Sequence, residues 1–532
     1  MTKYVFLLSL ALVLSSWPLL AQEEHHHTES LEKIGNVSFP ITCNQSVQEE
    51  FERGLALLHS FWYEEAQKSF KKVLDQDPHC AIAYWGHAMS IYRPLWNRPT
   101  PSDLQNGRKL IQVAQTIDAN SQRERDYIDA LAVFYGDDNR DYQKRSADYC
   151  NVMQKLFARY PKDREAAVFY ALSLLGSQPD NDTELENPKK AIAILAELFK
   201  EAPDHPGVAH YLIHAADNPR LAILGLAAAR RYAQIAPASP HALHMPSHIF
   251  ARLGLWQEDI QSNLASIAAT SQSSGLHIGA EHQIHAMDFL EYAYLQIGEN
   301  NKAKAVVDQL ATIHADDVDP GLDGYLDRMR AHLPAMYALE THHWKEALAL
   351  QPPAGAEPSS QAITYWARAV AAGHLRDVPA ARVAVQQYDA MLDTVRKSSR
   401  PHQADYMSTN GGEAHAWLIF TEGKIDEALS LLRSVADKQD AEGKGEVEVP
   451  AREMLGDMLL EMSRSRDALA EYEKSLKTDP NRFNGVYGAA RSAELLQEPR
   501  TAAAYYAQLL KNCEIRSQRP ELSHAKELLA RN

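Results

Sequence analysis

Five histidines set the chemical question this chain poses. His210 and His214 stand four residues apart, and so do His244 and His248, so each pair puts two imidazoles on one helical face. Thirty-four residues separate His210 from His244, and the same number separates His214 from His248. His285 follows in E-H-Q-I-H-A-M-D, three residues before Asp288. Imidazole nitrogens and a carboxylate on adjacent helices are the ligand types of a transition-metal site. Zinc, copper or iron would each suit them, with nitrogens about 2.0–2.1 Å from the ion for zinc. The expected ligand set is therefore His210, His214, His244, His248, His285 and Asp288, with Glu281 an alternative base or extra ligand. Met245 and Met287 nearby lean towards copper.

The elements that would carry these residues are helices. From residue 45 onward, apolar residues recur with helical spacing and almost no alternating strand pattern. Gly54, Ala66, Phe70 and Pro78 occupy positions 8, 20, 24 and 32 of a 34-residue unit at 47–80. The unit recurs at 449–482 with Gly456, Ala468, Tyr472 and Pro480, and at 483–516 with Ala502 and Tyr506. Small residues let paired helices approach, the aromatic fills the gap, and proline ends the second helix. Units at 206–239 and 240–273, then one beginning at 284 after a ten-residue insertion, place His210, His244 and Asp288 at position 5. Position 9 then holds His214, His248 and Tyr292, and position 2 holds Gly207, His241 and His285. Positions 2, 5 and 9 share one stripe of the first helix, and neighbouring helices pack about 8–10 Å apart. Pro246, between His244 and His248, predicts a helix start or kink within that pair.

Other histidines read differently. His241 fits a cap or surface position, His205 the turn before Pro206, and His87 packing beside Trp85. His59, at position 13 of its unit, fits the groove, while His277, His342 and His343 fit the surface. Glu413 and His415 point apart on a helix. No G-x-S-x-G, phosphate-binding G-K-S/T or H-E-x-x-H motif occurs, so hydrolase and nucleotide-binding readings lack their usual carriers.

The formal net charge of −16 excludes a nucleic-acid backbone as a natural partner. Lys3, the apolar run Tyr4–Leu14 and Leu19-Leu20-Ala21 predict a signal peptide over 1–21. The expectation is an exported protein, periplasmic or secreted, with no stable membrane anchor after cleavage. A polar leader follows over 22–44, including His25-His26-His27. Cys43 and Cys80 could form a disulfide in an oxidising compartment.

The blocks L-L-H-S-F-W-Y-E-E-A, C-A-I-A-Y-W-G-H-A-M-S, H-P-G-V-A-H-Y-L-I-H-A and H-M-P-S-H-I-F-A-R-L-G cover about residues 40–300. They resemble a group of bacterial, often exported, tetratricopeptide-repeat (TPR) proteins that share such histidine-rich blocks. The resemblance implies an all-α, right-handed superhelical solenoid of TPR-like helix-turn-helix repeats. The site stripe would then line a concave groove that takes a protein or peptide partner. The expected division is an N-terminal solenoid at 45–351 and C-terminal repeats at 361–532, with the Pro-rich loop 352–360 between them. The leading expectation is a partner-binding scaffold with a metal site in the 205–288 groove. The alternative is a metal-dependent enzyme, oxidase or hydrolase, on the same solenoid.

Overall fold

The computed structural model describes residues 33–531 apart from 96–97, 118–120, 137–138, 180–181, 273–279, 319–321, 399–402, 514–516 and 518. The signal segment, residues 22–32 of the leader with His25-His26-His27, and His277 lie outside the described residues. The described chain is an all-α repeat solenoid: helix follows helix, each packed on its neighbours in sequence. Among the described residues there is no strand.

The small-residue and aromatic positions work as their types require. In the first unit, helices Gln48–His59 and Tyr63–Gln76 pair, and the next helix, Ala81–Tyr92, closes over them. Phe70 is fully buried between Gly54 and Gly86, where an added Cβ would lie 3.0 and 2.4 Å from its ring. Near the C-terminus Tyr472 fills the same gap between Gly456 and Gly488, at 2.8 and 2.3 Å. Each aromatic thus bridges three successive helices, which makes stacking of units cooperative.

Cys43 and Cys80 are disulfide-bonded, tying the segment before the first helix to the end of the first unit. Helices Asp323–Glu340 and Trp344–Ala349 pack on Pro358–His374, which already begins within the 352–360 stretch. No described helix is long and apolar enough to cross a membrane.

The solenoid also closes on itself. Trp256 Nε1 donates to the Asn481 carbonyl (2.9 Å), and Ser517 Oγ donates to the Gly298 carbonyl (2.7 Å). Arg482, 1% exposed, is paired with Glu340 at 2.6 Å and Glu453 at 2.8 Å. A buried guanidinium is tolerated only with such complete pairing, so this contact fixes the relative position of the two stretches. The segment 443–450 consequently lies against the helices that carry the histidines. Arg252 Nη1 donates to the Lys444 carbonyl (2.7 Å), and Tyr292 Oη donates to the Glu448 carbonyl (3.2 Å).

Candidate metal centre

The structure gathers the site histidines into two groups of three. His210 and His214, on helix Pro206–Ala216, converge with His241. His244 and His248 converge with His285, on helix Ala280–Gln296. Within each group one ligand atom per residue lies within 4.8 Å of the others. The rule is one of register: positions 5 and 9 of one unit are completed by position 2 of the next. His241 is therefore a member of the first triad rather than a surface or capping residue. Its signal was present in the sequence, since it shares position 2 with His285. Asp288 stands outside both triads, with Oδ1 3.3 Å from His332 Nε2.

Pro246 does not spread its pair. Helix Pro240–His244 ends and Pro246–Leu253 begins, but Met245 keeps right-handed helical angles (φ −50°, ψ −34°) between them. The missing proline N–H interrupts the hydrogen-bond ladder, yet His244 Nε2 remains 3.1 Å from His248 Nε2.

The nitrogen that each key ring offers is set by what the other nitrogen does. His210 Nδ1 lies 2.6 Å from the His59 carbonyl, which can only accept, so Nδ1 carries the hydrogen. His210 Nε2 then presents a lone pair, 3.0 Å from Nε2 of both His241 and His214. His244 Nδ1 is 2.7 Å from Asn263 Oδ1, and that amide is oriented by donating its Nδ2 to Asp259. His244 Nε2 is therefore also a lone-pair nitrogen. His248 Nδ1 donates to Asp217 (3.0 Å) and to Glu446 (2.8 Å), leaving Nε2 towards His244. Such carboxylate and carbonyl partners behind the ring are the usual support of a metal-ligating imidazole. Two nitrogens on one tetrahedral ion at zinc–imidazole bond lengths stand about 3.4 Å apart, close to the spacings here.

Burial dominates the electrostatics. It lowers His210 to about 3 and His285 to about 4, and holds His214, His241 and His244 well below the ordinary imidazole value. These are neutral rings, the form that ligates. At His248 burial also pulls down, but Glu446 and Asp217 outweigh it and push the ring up to about 10. Glu446 is held ionised, chiefly by Arg252 and His248 against the effect of burial. Its part was not legible in the sequence, because it lies 198 residues from His248.

A third cluster joins His59, Glu165 and His205, all at most 1% exposed. His59 Nε2 and His205 Nε2 each meet one oxygen of Glu165, at 2.8 and 2.7 Å. His59 Nδ1 accepts from Tyr211 Oη (3.0 Å), and His205 Nδ1 accepts from the Val208 N–H (3.3 Å). Burial works against the carboxylate, but the two histidines hold Glu165 far below its usual range, while burial lowers His59. His205 caps its helix through the Val208 contact and is more than a turn residue.

No protein-family model matches the chain, and no curated protein does. Similar solved structures include a tetratricopeptide repeat protein from Parabacteroides merdae. It is 15% identical over 55% of this chain and 97% of that one, with a TM-score of 0.28. Another is the human IFIT1 dimer with m7Gppp-AAAA, at 11% identity, 91% and 99% coverage, and a TM-score of 0.36. A third is the P58(IPK) TPR domain, at 12% identity, 91% and 99% coverage, and a TM-score of 0.21. At these identities and scores they say nothing of the histidine site.

Proposed function

We propose that this chain is a metal-binding repeat protein that holds one transition-metal ion in each triad, His210–His214–His241 and His244–His248–His285. The observation that carries this reading is the pair of pinned tautomers. His210 and His244 each turn a lone pair towards another imidazole Nε2 at 3.0–3.1 Å, where an N–H···N hydrogen bond forms in the metal-free chain and a cation can take the place of the shared proton. Zinc, copper or iron suits an all-imidazole set. Three protein ligands per ion leave an open position, which favours a reactive centre over a closed structural one. The metal-dependent enzyme reading gains from that feature.

Export is part of the proposal. The residue pattern of 1–21 supports it, and the Cys43–Cys80 disulfide suits an oxidising compartment. A protein or peptide partner would engage the repeat surface away from segment 443–450, since that segment already packs against the histidine-bearing helices.

The test is metal analysis of the purified, untagged mature chain. Two ions per chain are expected, and His210→Ala with His248→Ala should remove both while helical circular dichroism is retained. A metal-free protein that takes up no zinc, copper or iron would end the proposal. Mass spectrometry of the exported protein should find Gln22 at its N-terminus.

A further inference from the structure

The two triads are not separate sites that happen to share a helix stack. The rings His241, His210, His214, His248, His244 and His285 follow one another with centroid spacings of 4.9, 4.7, 6.4, 5.0 and 4.4 Å. The step between triads, His214 to His248 at 6.4 Å, matches the 6.3 Å between His214 and His241 inside the first triad. On the other side His241 touches His282 at 5.2 Å, and His282 lies one helical turn before His285. The imidazoles therefore form a continuous girdle from His241 to His285, in which His214 and His248 are the junction between the two sets.

Charge decides what such a girdle would hold. As metal ligands all six would be neutral imidazoles, His248 giving up one of its two protons, so two divalent ions would bring four positive charges into a largely buried space. Among the described residues Asp217 and Glu446 contact His248 Nδ1, and the Asp288 charge acts on His285. Arg252, 3.0 Å from Asp217, cancels part of that negative charge. The remaining excess is positive, and each ion has an unfilled coordination position. Uncompensated charge in a low-dielectric setting is costly, so a small anion that fills open positions on both ions is strongly favoured.

We infer that the two triads form one dinuclear centre whose ions share a small inorganic anion, hydroxide in plain water. This rests on the two-triad metal reading above. Binding of hydroxide breaks one O–H bond of water and releases the proton to solvent, with no change of oxidation state.

Azide is the probe. The full chain loaded with two Cu(II) ions should bind one azide per two coppers, and its paramagnetic resonance signal should integrate to clearly less than two isolated coppers. His241→Ala and His285→Ala, each breaking one triad, should each retain one copper, give a full single-copper signal and lose azide affinity at least tenfold. Two azides per chain, with each variant keeping one at unchanged affinity, would establish two independent ions and overturn the inference. So would a full two-copper signal in the wild-type protein, a measurement that does not depend on how the variants fold. Failure of the wild-type chain to take up two coppers would instead overturn the metal reading beneath it.

Discussion

Two kinds of buried histidine cluster lie side by side in this molecule, and they differ in what their inward nitrogens face. Around Glu165, donors and acceptors alternate: two N–H groups meet one carboxylate, while the second nitrogens accept from Tyr211 and Val208. Nothing is left over, and the cluster needs no ion. In the triads the outward nitrogens of His210 and His244 are committed to acceptors, so the inward nitrogens face other imidazole nitrogens. One cluster pairs its nitrogens with a carboxylate, and the other turns them towards one another, the arrangement on which the proposed metal site rests. The same residue types serve both, so composition alone does not separate them; the partner of the second nitrogen does.

The largest expected effect is on metal content. His210→Ala should lower it from two ions per chain to one, whereas His205→Ala, from the neighbouring cluster, should leave two. Elemental analysis of the two variants side by side would break the distinction if both lost the same amount. The second effect is on stability. Glu165→Gln turns one acceptor oxygen into a donor facing an N–H, and disrupting a buried charged pair costs about 3–5 kcal/mol. Denaturant unfolding should show that loss with metal stoichiometry unchanged. Because Glu165 is held below its usual range, its stabilisation is complete above about pH 4.3 and disappears only as pH falls towards the depressed value.

Gly207 links the two clusters and gives a smaller effect. It occupies position 2, where the next two units carry His241 and His285. Here the absent side chain leaves room for His59, whose Nδ1 would lie 2.5 Å from an added Cβ. Gly207→Ala should cost about 1–3 kcal/mol by overpacking. It should also weaken the first triad more than the second, because the displaced His59 carries the carbonyl that orients His210. Calorimetric metal titration resolving the two sites would show whether the loss is so divided.

The register of 34 residues made the helices, the paired imidazoles and the small-residue and aromatic packing legible in the sequence, because each is a local, periodic requirement. It carried His210 with His214, and His244 with His248, and placed His285 on the same stripe. What it missed depends on contacts across the fold. Asp288 has the right position but turns to His332, from a later helix. His241 has the place of a cap at a helix start, but position 2 of its unit completes the preceding pair. Glu446, Asp217 and Glu165 act through chain closure or helix stacking that no short window contains.

Glu413 extends the contrast to a buried carboxyl with too few donors. Among the described residues its side chain accepts one hydrogen bond, from Trp366 Nε1 at 2.7 Å, whereas Glu165 receives two histidine N–H groups. Burial, reinforced by nearby Glu448, pushes Glu413 up to about 8. The sign of its effect is therefore opposite to that of Glu165. Between about pH 4.3 and 8 the folded chain keeps a proton that the unfolded chain has lost, so stability falls as pH rises, by at most about 1.4 kcal/mol per unit. Glu413→Gln removes that titration while leaving an amide oxygen for Trp366. The stability difference between variant and wild type should move in the variant's favour from pH 5 to 8 and level off above. A difference that stays constant across that range in urea unfolding would mean that Glu413 is ionised in the folded chain, and that a single indole donor holds its charge as well as two histidines hold that of Glu165.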